Sequence, residues 1–300
     1  MLRPMDLWRI AIIDQPLPAV LAQGLDEARV TWAPAMPGQS FRADPFGLWR
    51  DNRLYVFAEA FDYRDRHGYI DLLIYDERLT LLDSRTVLRE PWHLSYPFVF
   101  EAEGETWMLP EAFQSGTLTL YRAKQFPDQW EAVCHIPLDG AAIDATPCFW
   151  QGRWWLFYAP SHAKRAKQSH LHVAFADRLT GPWHLHPRNP VRIDIASARP
   201  GGTPILQGGS IILPVQDCRN TYGAAIRLLD ISRLDEGHFT ATDRDGLRAP
   251  SWMSPMTDGL HTLSAIGEMT LLDVKRLDAS LSAKTSRLYH IVRHRLAPAA

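Results

Sequence analysis

Long apolar runs are missing from this 300-residue chain. No stretch reaches the roughly 18 residues that a membrane helix needs, so no membrane span is expected. Cysteine is scarce: Cys134, Cys148 and Cys218 are odd in number and lack metal-ligand spacing. That argues against a disulfide framework and against a cysteine-type zinc site. Charge of one sign is not in excess either. A net charge of −2 gives no basic field to draw nucleic acid or an anionic membrane. No phosphate-cradling glycine loop and no nucleophile elbow occur, and GGTPILQGG reads as a turn between strands. The opening MLRPMDLWRIAIIDQPLPAV carries two acids and no long apolar core, a poor secretion signal, so a cytoplasmic protein is the expectation. With no linker, low-complexity tract or charge block, residues 1–300 read as one domain.

What the chain does have is a repeated phrase. A Pro opens an apolar strand, a polar turn follows, and a second apolar strand returns, at intervals of about fifty residues. The copies begin at Asp44-Pro45-Phe46, Tyr96-Pro97-Phe98, Thr146-Pro147-Cys148 and Thr203-Pro204-Ile205, with a copy lacking the Pro from Gly259. Each repeat resolves into short β-rich runs bounded by Gly, Asp, Asn or Gln turns, the signature of hairpins. Four strands per repeat at this spacing predict an all-β, five-bladed β-propeller with four-stranded antiparallel blades. Blades start near 44, 96, 146, 203 and 259. The fifth repeat shows two clear strands plus RLYHIVRH near the C-terminus, and the N-terminal strand near 7–13 completes it, closing the ring from both ends. A two-sheet sandwich is the alternative, but it would not carry the regular phrase.

In a propeller blade the start of the first strand and the end of the second meet at one face. Those positions supply Asp44 and Glu59; Tyr96 and Glu111, with Trp92 and His93 just upstream; Asp144; Arg199, Gln216 and Asp217; and Asp258, His261 and Asp273. Crowded carboxylates push one another's pKa values apart, which makes one an acid beside another acting as a base. Paired acids are the apparatus of glycosidic-bond chemistry, and nearby Trp and Tyr suit sugar stacking. An acid at a strand end can equally serve only to satisfy backbone donors. Arg199 either neutralises the acids or grips an anionic group on a ligand. His93 and His261 are candidates for proton transfer or for hydrogen bonding alone. The basic tip Ser161–His172 reads as a solvated loop, and the aromatic runs as packing between blades.

The phrases FRADPFG, HLSYPFVFE, MLPEAF, LYRAKQFPDQW, GRWWLF, GPWHLHPRNPV, ARPGG, QDCRNTYG and DGLHTLS carry a resemblance. Over Phe41 to about Arg276 the chain resembles the N-terminal domain of plant glucosamine inositolphosphorylceramide transferases and their stand-alone bacterial relatives. More distantly it is similar to the five-bladed glycosidases of the glycoside hydrolase family 43 type. The resemblance implies a propeller tied to glycoconjugates. The glycosidase general base falls on Asp44 and the tuning Asp on Asp144, two residues ahead of its Thr146-Pro147 step. The general acid falls where this chain has Arg199, so Glu111 or Glu59 would act as acid from another blade.

These readings define a carbohydrate-active enzyme working on a glycosidic or glycosyl-phosphate bond in glycoconjugate assembly. Catalytic candidates are Asp44, Glu111, Glu59 and Asp144; substrate-binding candidates are Arg199, Tyr96, Trp92, His93, Asp217 and His261. The expected ligand is a sugar or a nucleotide- or phospho-sugar. A rival reading is a non-catalytic glycan- or glycolipid-binding module serving a partner glycosyltransferase. No cofactor is called for, although a divalent metal on Glu59, Glu111 and His261 is a third reading.

Overall fold

A computed structural model describes residues 4–26, 28–286 and 289. Its strands form five antiparallel sheets. Blade one runs Ser40–Arg50, Arg53–Asp62, His67–Tyr75 and Leu81–Leu88. Blade two runs Ser95–Ala102, Glu105–Glu111, Leu118–Gln125 and Gln129–Ile136. Blade three runs Ala142–Trp150, Arg153–Pro160 and His170–Ala176, with the short outer pieces His184–Leu185 and Arg192–Ile193 both paired to the third strand. In blade four the inner strand is split into Arg199–Pro200 and Ile205–Gln207, both paired with Ser210–Asp217, and Ala225–Leu234 and Phe239–Leu247 follow.

Blade five closes the ring. Gly259–Ile266 and Met269–Asp278 come from the C-terminal side, and Met5–Ile13 pairs along the whole length of the latter. Its outermost strand is Val30–Trp32, a second N-terminal contribution. The RLYHIVRH segment, residues 287–294, lies outside the described residues apart from Tyr289. Among the described residues no helix is long and apolar enough to cross a membrane.

Strand alternation explains why so many strands are apolar on both faces. Successive side chains point to opposite faces, and in a propeller each face meets a neighbouring blade. Leu54, Val56 and Ala58 of RLYVFAE pack toward blade five, whereas Tyr55 and Phe57 pack toward blade two. Each of the five blade–blade interfaces holds its own apolar cluster. Trimming one of these residues, as in Phe57→Ala, should cost about 3–5 kcal/mol.

The turns between first and second strands are equally local in origin. Asp51-Asn52, Glu103-Gly104, Gln151-Gly152 and Gly208-Gly209 all hold positive φ at both residues. That conformation matches the right-handed twist of the flanking strands.

At the other end of the inner strands a bulge recurs. Two inner-strand residues oppose one on the partner between Ala43 and Phe46, between Ser95 and Phe98, and between Ile143 and Thr146. The first bulged residue has positive φ in each: Asp44 at 51°, Tyr96 at 44° and Asp144 at 48°. Bulges re-aim side chains, and these turn theirs toward the propeller axis. The bulge also corrects the phasing of blade three. Asp144, not Thr146, is the counterpart of Asp44, and Pro147 lies deeper in the strand than Pro45. His261 and Thr262 occupy the corresponding irregularity of blade five.

Blade four reaches the axis differently. Gly202 forms a bridge to Leu263 of blade five. A Cβ there would sit 1.9 Å from the Leu263 carbonyl oxygen, so only glycine permits the approach.

Candidate active site

Tyr96 marks the axis. Its backbone N–H donates to Asp44 of blade one (3.2 Å), its hydroxyl meets Thr146 of blade three (2.9 Å), and Gly202 N–H of blade four donates to that hydroxyl (2.9 Å). It is fully buried. The bulge swings the ring across the axis, where it pins four blades together.

The acids are drawn into the same device. Asp273 accepts the N–H of Asp44 (2.8 Å), Asp44 accepts that of Tyr96, and Glu111 accepts that of Asp144 (3.3 Å). Each carboxylate holds the bulge of the next blade. These bulged N–H groups have no ladder partner, and burying them unpaired would be costly. Asp44, Glu59, Glu111 and Asp144 are all at least nine-tenths buried.

Their surroundings differ. Asp44 has both oxygens engaged: Oδ2 accepts the Tyr96 N–H, and Oδ1 accepts the Thr262 hydroxyl (2.8 Å) with the His261 Nε2 3.4 Å away. His261 Nδ1 meets Asp273 at 2.7 Å, and its ring stacks on Trp8 at 3.8 Å. Burial pulls the imidazole pKa down, but Asp273 and Asp44 outweigh it and raise it. For Asp44, burial outweighs the pull of His261 and pushes the carboxyl up to about 6. The structure thus groups His261 with Asp44 and Asp273, their polar atoms lying within 4.8 Å of one another, rather than with Glu59 and Glu111.

Asp144 sits in a second ion pair. Arg199 donates from Nε (2.6 Å) and Nη2 (3.2 Å), and Gln216 donates its amide (2.7 Å). The guanidinium also reaches the Tyr222 hydroxyl (3.3 Å) and lies over its ring. The Arg199 fork is thus committed to neutralising Asp144.

Glu59 and Glu111 are the under-bonded acids. Among the described residues Glu59 has one polar partner, His93 Nε2, at 3.3 Å. His93 Nδ1 accepts from Gly68 N–H, so Nε2 carries the ring proton. Burial lowers the pKa of that histidine to about 4, keeping it neutral. Glu111 accepts the one backbone bond and lies 4.0 Å from Arg199. Burial, then the charges of Asp44 and Glu111, hold Glu59 well above the usual carboxylate range. Burial and then Asp144 do the same for Glu111, against the pull of Arg199.

Three other candidates lie elsewhere. Asp217 follows Gln216 on one strand, so the two side chains face opposite ways. Gln216 takes the axial side, and Asp217 is held behind it by Arg219 (2.7 Å) and Arg248 (3.7 Å). Trp92 packs into the interface between blades one and two, not over the acids. Asp258 is exposed and accepts the Leu277 N–H (2.7 Å). The Ser161–His172 tip is more than a solvated loop. The Lys167 carbonyl accepts from Arg199 (3.5 Å), and its ammonium sits 3.8 Å over Phe113.

Sequence reasoning missed Trp8, Tyr222 and Lys275. Lys275 is wholly buried, and its ammonium is bound by Asp6 (2.7 Å), Thr221 (3.2 Å) and the Tyr222 carbonyl. One signal existed: Asp273 and Lys275 share a face of the strand that follows Gly259–Ile266, and buried charges come paired.

Five antiparallel blades around an axial set of buried acids define the class: a five-bladed β-propeller with a carboxylate-lined mouth. A family model described as glucosamine inositolphosphorylceramide transferase 1, N-terminal, matches residues 28–248, and the chain belongs to that family. It is 35% identical over 205 residues to glucosamine inositolphosphorylceramide transferase 1 of Oryza sativa subsp. indica, covering 67% of this chain and 27% of that protein. To the Arabidopsis thaliana protein of the same name it is 33% identical over 204 residues, covering 67% and 26%. The match therefore spans about a quarter of these curated relatives.

Solved structures share the fold at low identity. A family 117 glycoside hydrolase, Zg3597 of Zobellia galactanivorans, superimposes with a TM-score of 0.55 at 15% identity, covering 80% of this chain and 86% of that one. A GH43_1 enzyme from Xanthomonas citri gives 0.54 at 14%, covering 81% and 89%. The β-1,2-mannobiose phosphorylase of Listeria innocua gives 0.56 at 10%, covering 87% and 95%.

Proposed function

We propose that this protein is a carbohydrate-active enzyme acting on a glycosidic or glycosyl-phosphate bond through its axial carboxylates. The observation that carries this reading is the crowding of four buried, unequally bonded acids within one mouth. Glu59 and Glu111 are pushed far up by burial and by neighbouring charge, whereas Asp44, facing His261, reaches only about 6. A carboxyl held protonated to higher pH can donate to a leaving-group oxygen, and Asp44, beside His261, can take a proton from an acceptor. Glu111 is the acid and Asp44 the base, with Glu59 the alternative acid. The Arg199–Asp144 pair fixes the field in which Glu111 titrates. The names of the plant relatives and of the glycosidase-fold neighbours are in accord with a sugar ligand. Turnover of nucleotide sugars, sugar phosphates and aryl glycosides by wild type, Asp44→Asn and Glu111→Gln tests it. Conversion by wild type and loss in both variants supports the reading; full activity in either variant removes that residue from its role.

One observation favours a second reading, a glycan-binding module for a partner transferase. Asp44, Asp273 and Glu111 already staple adjacent blades. Binding of a sugar that is equal in wild type and Asp44→Asn, with no product from either, would select this alternative.

A further inference from the structure

Beside the acids, and separated from them by Tyr222, lies a cavity of about 490 Å³. Four parts of the chain wall it: Asp6 of the ring-closing strand, Gln168 of the blade-three tip, Leu277 of the Met269–Asp278 strand, and Cys218, Asn220, Thr221 and Tyr222 of the loop after the second strand of blade four. Its size lies within the roughly 300–1,000 Å³ of small-molecule pockets.

The lining chemistry is specific. Among the described residues no cation is in the lining. The nearby Lys275 ammonium is buried behind the wall and matched by Asp6. Arg199 is spent on Asp144, and Arg219 on Asp217. The Gln168 and Asn220 amides make no hydrogen bond among the described residues. The Thr221 hydroxyl accepts from Lys275 and the Tyr222 hydroxyl from Arg199, which leaves each O–H free to donate. Two amides, two hydroxyls and one carboxylate with no free cation suit a dense set of neutral hydroxyls. They do not suit a diphosphate, which calls for Arg, Lys or a helix N-terminus.

We infer that this cavity is a binding subsite for an uncharged polyol, a sugar ring or cyclitol. Its ligand lies against Tyr222, with the axial acids on the far side of that ring. The chemical class rests on the carbohydrate reading of the mouth; the cavity and its lining do not. The subsite also narrows that reading, because the group seated here is a neutral sugar moiety rather than a nucleotide.

Saturation-transfer NMR and calorimetry on the full chain test the inference, with glucose and myo-inositol as neutral probes and glucose 1-phosphate and uridine diphosphate as anionic ones. At least one neutral probe should bind wild type. Gln168→Leu with Asn220→Leu should weaken it about tenfold, the loss of two or so hydrogen bonds. Asp44→Asn should leave it within about twofold, since Asp44 is outside the lining. Thr221→Val is the independent variant if the double variant does not fold. The inference is overturned if neither neutral probe binds, if binding ignores the lining variants, or if the anionic probes bind more tightly with the same dependence. Retained polyol binding without turnover would count against the catalytic proposal alone. Turnover without dependence on the lining would count against the subsite alone.

Discussion

Two pairs of acids at the axial mouth are almost equally buried and are bonded in opposite ways. Asp44 and Asp144 are hydrogen-bonded on both oxygens, the first by Thr262 and Tyr96 N–H with His261 close by, the second by Arg199 and Gln216. Glu59 and Glu111 have one weak polar partner each within hydrogen-bonding reach. Burial alone does not set the chemistry of a carboxyl. What each oxygen meets inside decides whether the group is a staple, a base or a stored proton.

The largest expected effect breaks the bonded side. Arg199→Met leaves Asp144 buried without its cation, and urea denaturation should register a loss of about 3–5 kcal/mol. Adding Asp144→Asn should recover part of it. Unchanged stability in the single variant would mean that the ion pair contributes nothing.

The under-bonded side should respond with the opposite sign. A carboxyl whose folded pKa is raised stabilises the fold below its unfolded pKa, and that contribution is lost as pH rises through the folded value. Glu111→Gln and Glu59→Gln should therefore match wild type near about pH 4 and exceed its melting temperature at alkaline pH. For Asp44 the window is narrower: its contribution fades as pH rises from the ordinary 3.8 to about 6. A melting-temperature profile parallel to wild type across this range would contradict the assignment.

His261→Gln sharpens the contrast from inside the bonded pair. His261 lowers the pKa of Asp44, so its removal should move the Asp44 titration upward from about 6, read by carboxyl carbon NMR. No movement would mean that the imidazole does not act on Asp44. Smallest is Tyr222→Phe, which deletes one long bond to Arg199 and keeps the ring contacts. It should cost under about 1 kcal/mol.

The propeller was legible because its signals are local. Double-sided apolar alternation, paired positive-φ turn residues and the fifty-residue phrase all lie within single hairpins. Proline misled in blade three, where the bulge falls at Asp144 and the Pro lies three residues on. The outermost strand of blade five, Val30–Trp32, is too short and half-polar to announce itself. At the site, acid types and positions were readable, but their bonding was not. Arg199 and Asp144 are 55 residues apart in sequence, and their pairing depends on how adjacent blades pack. Gln216 and Asp217 show what alternation could have resolved, since neighbours on a strand cannot both face the axis. Trp8 and Tyr222 reach the mouth from the ring-closing strand and a loop, where no periodicity points to them.

The most direct measurement is a carbon-13 NMR titration of the side-chain carboxyls, with Glu59→Gln, Glu111→Gln and Asp44→Asn used for assignment. The account predicts that Glu59 and Glu111 remain protonated at neutral pH, while Asp44 titrates near about 6. Glu59 and Glu111 titrating together near the ordinary value of about 4.3 would contradict the division of acids on which the proposed chemistry rests.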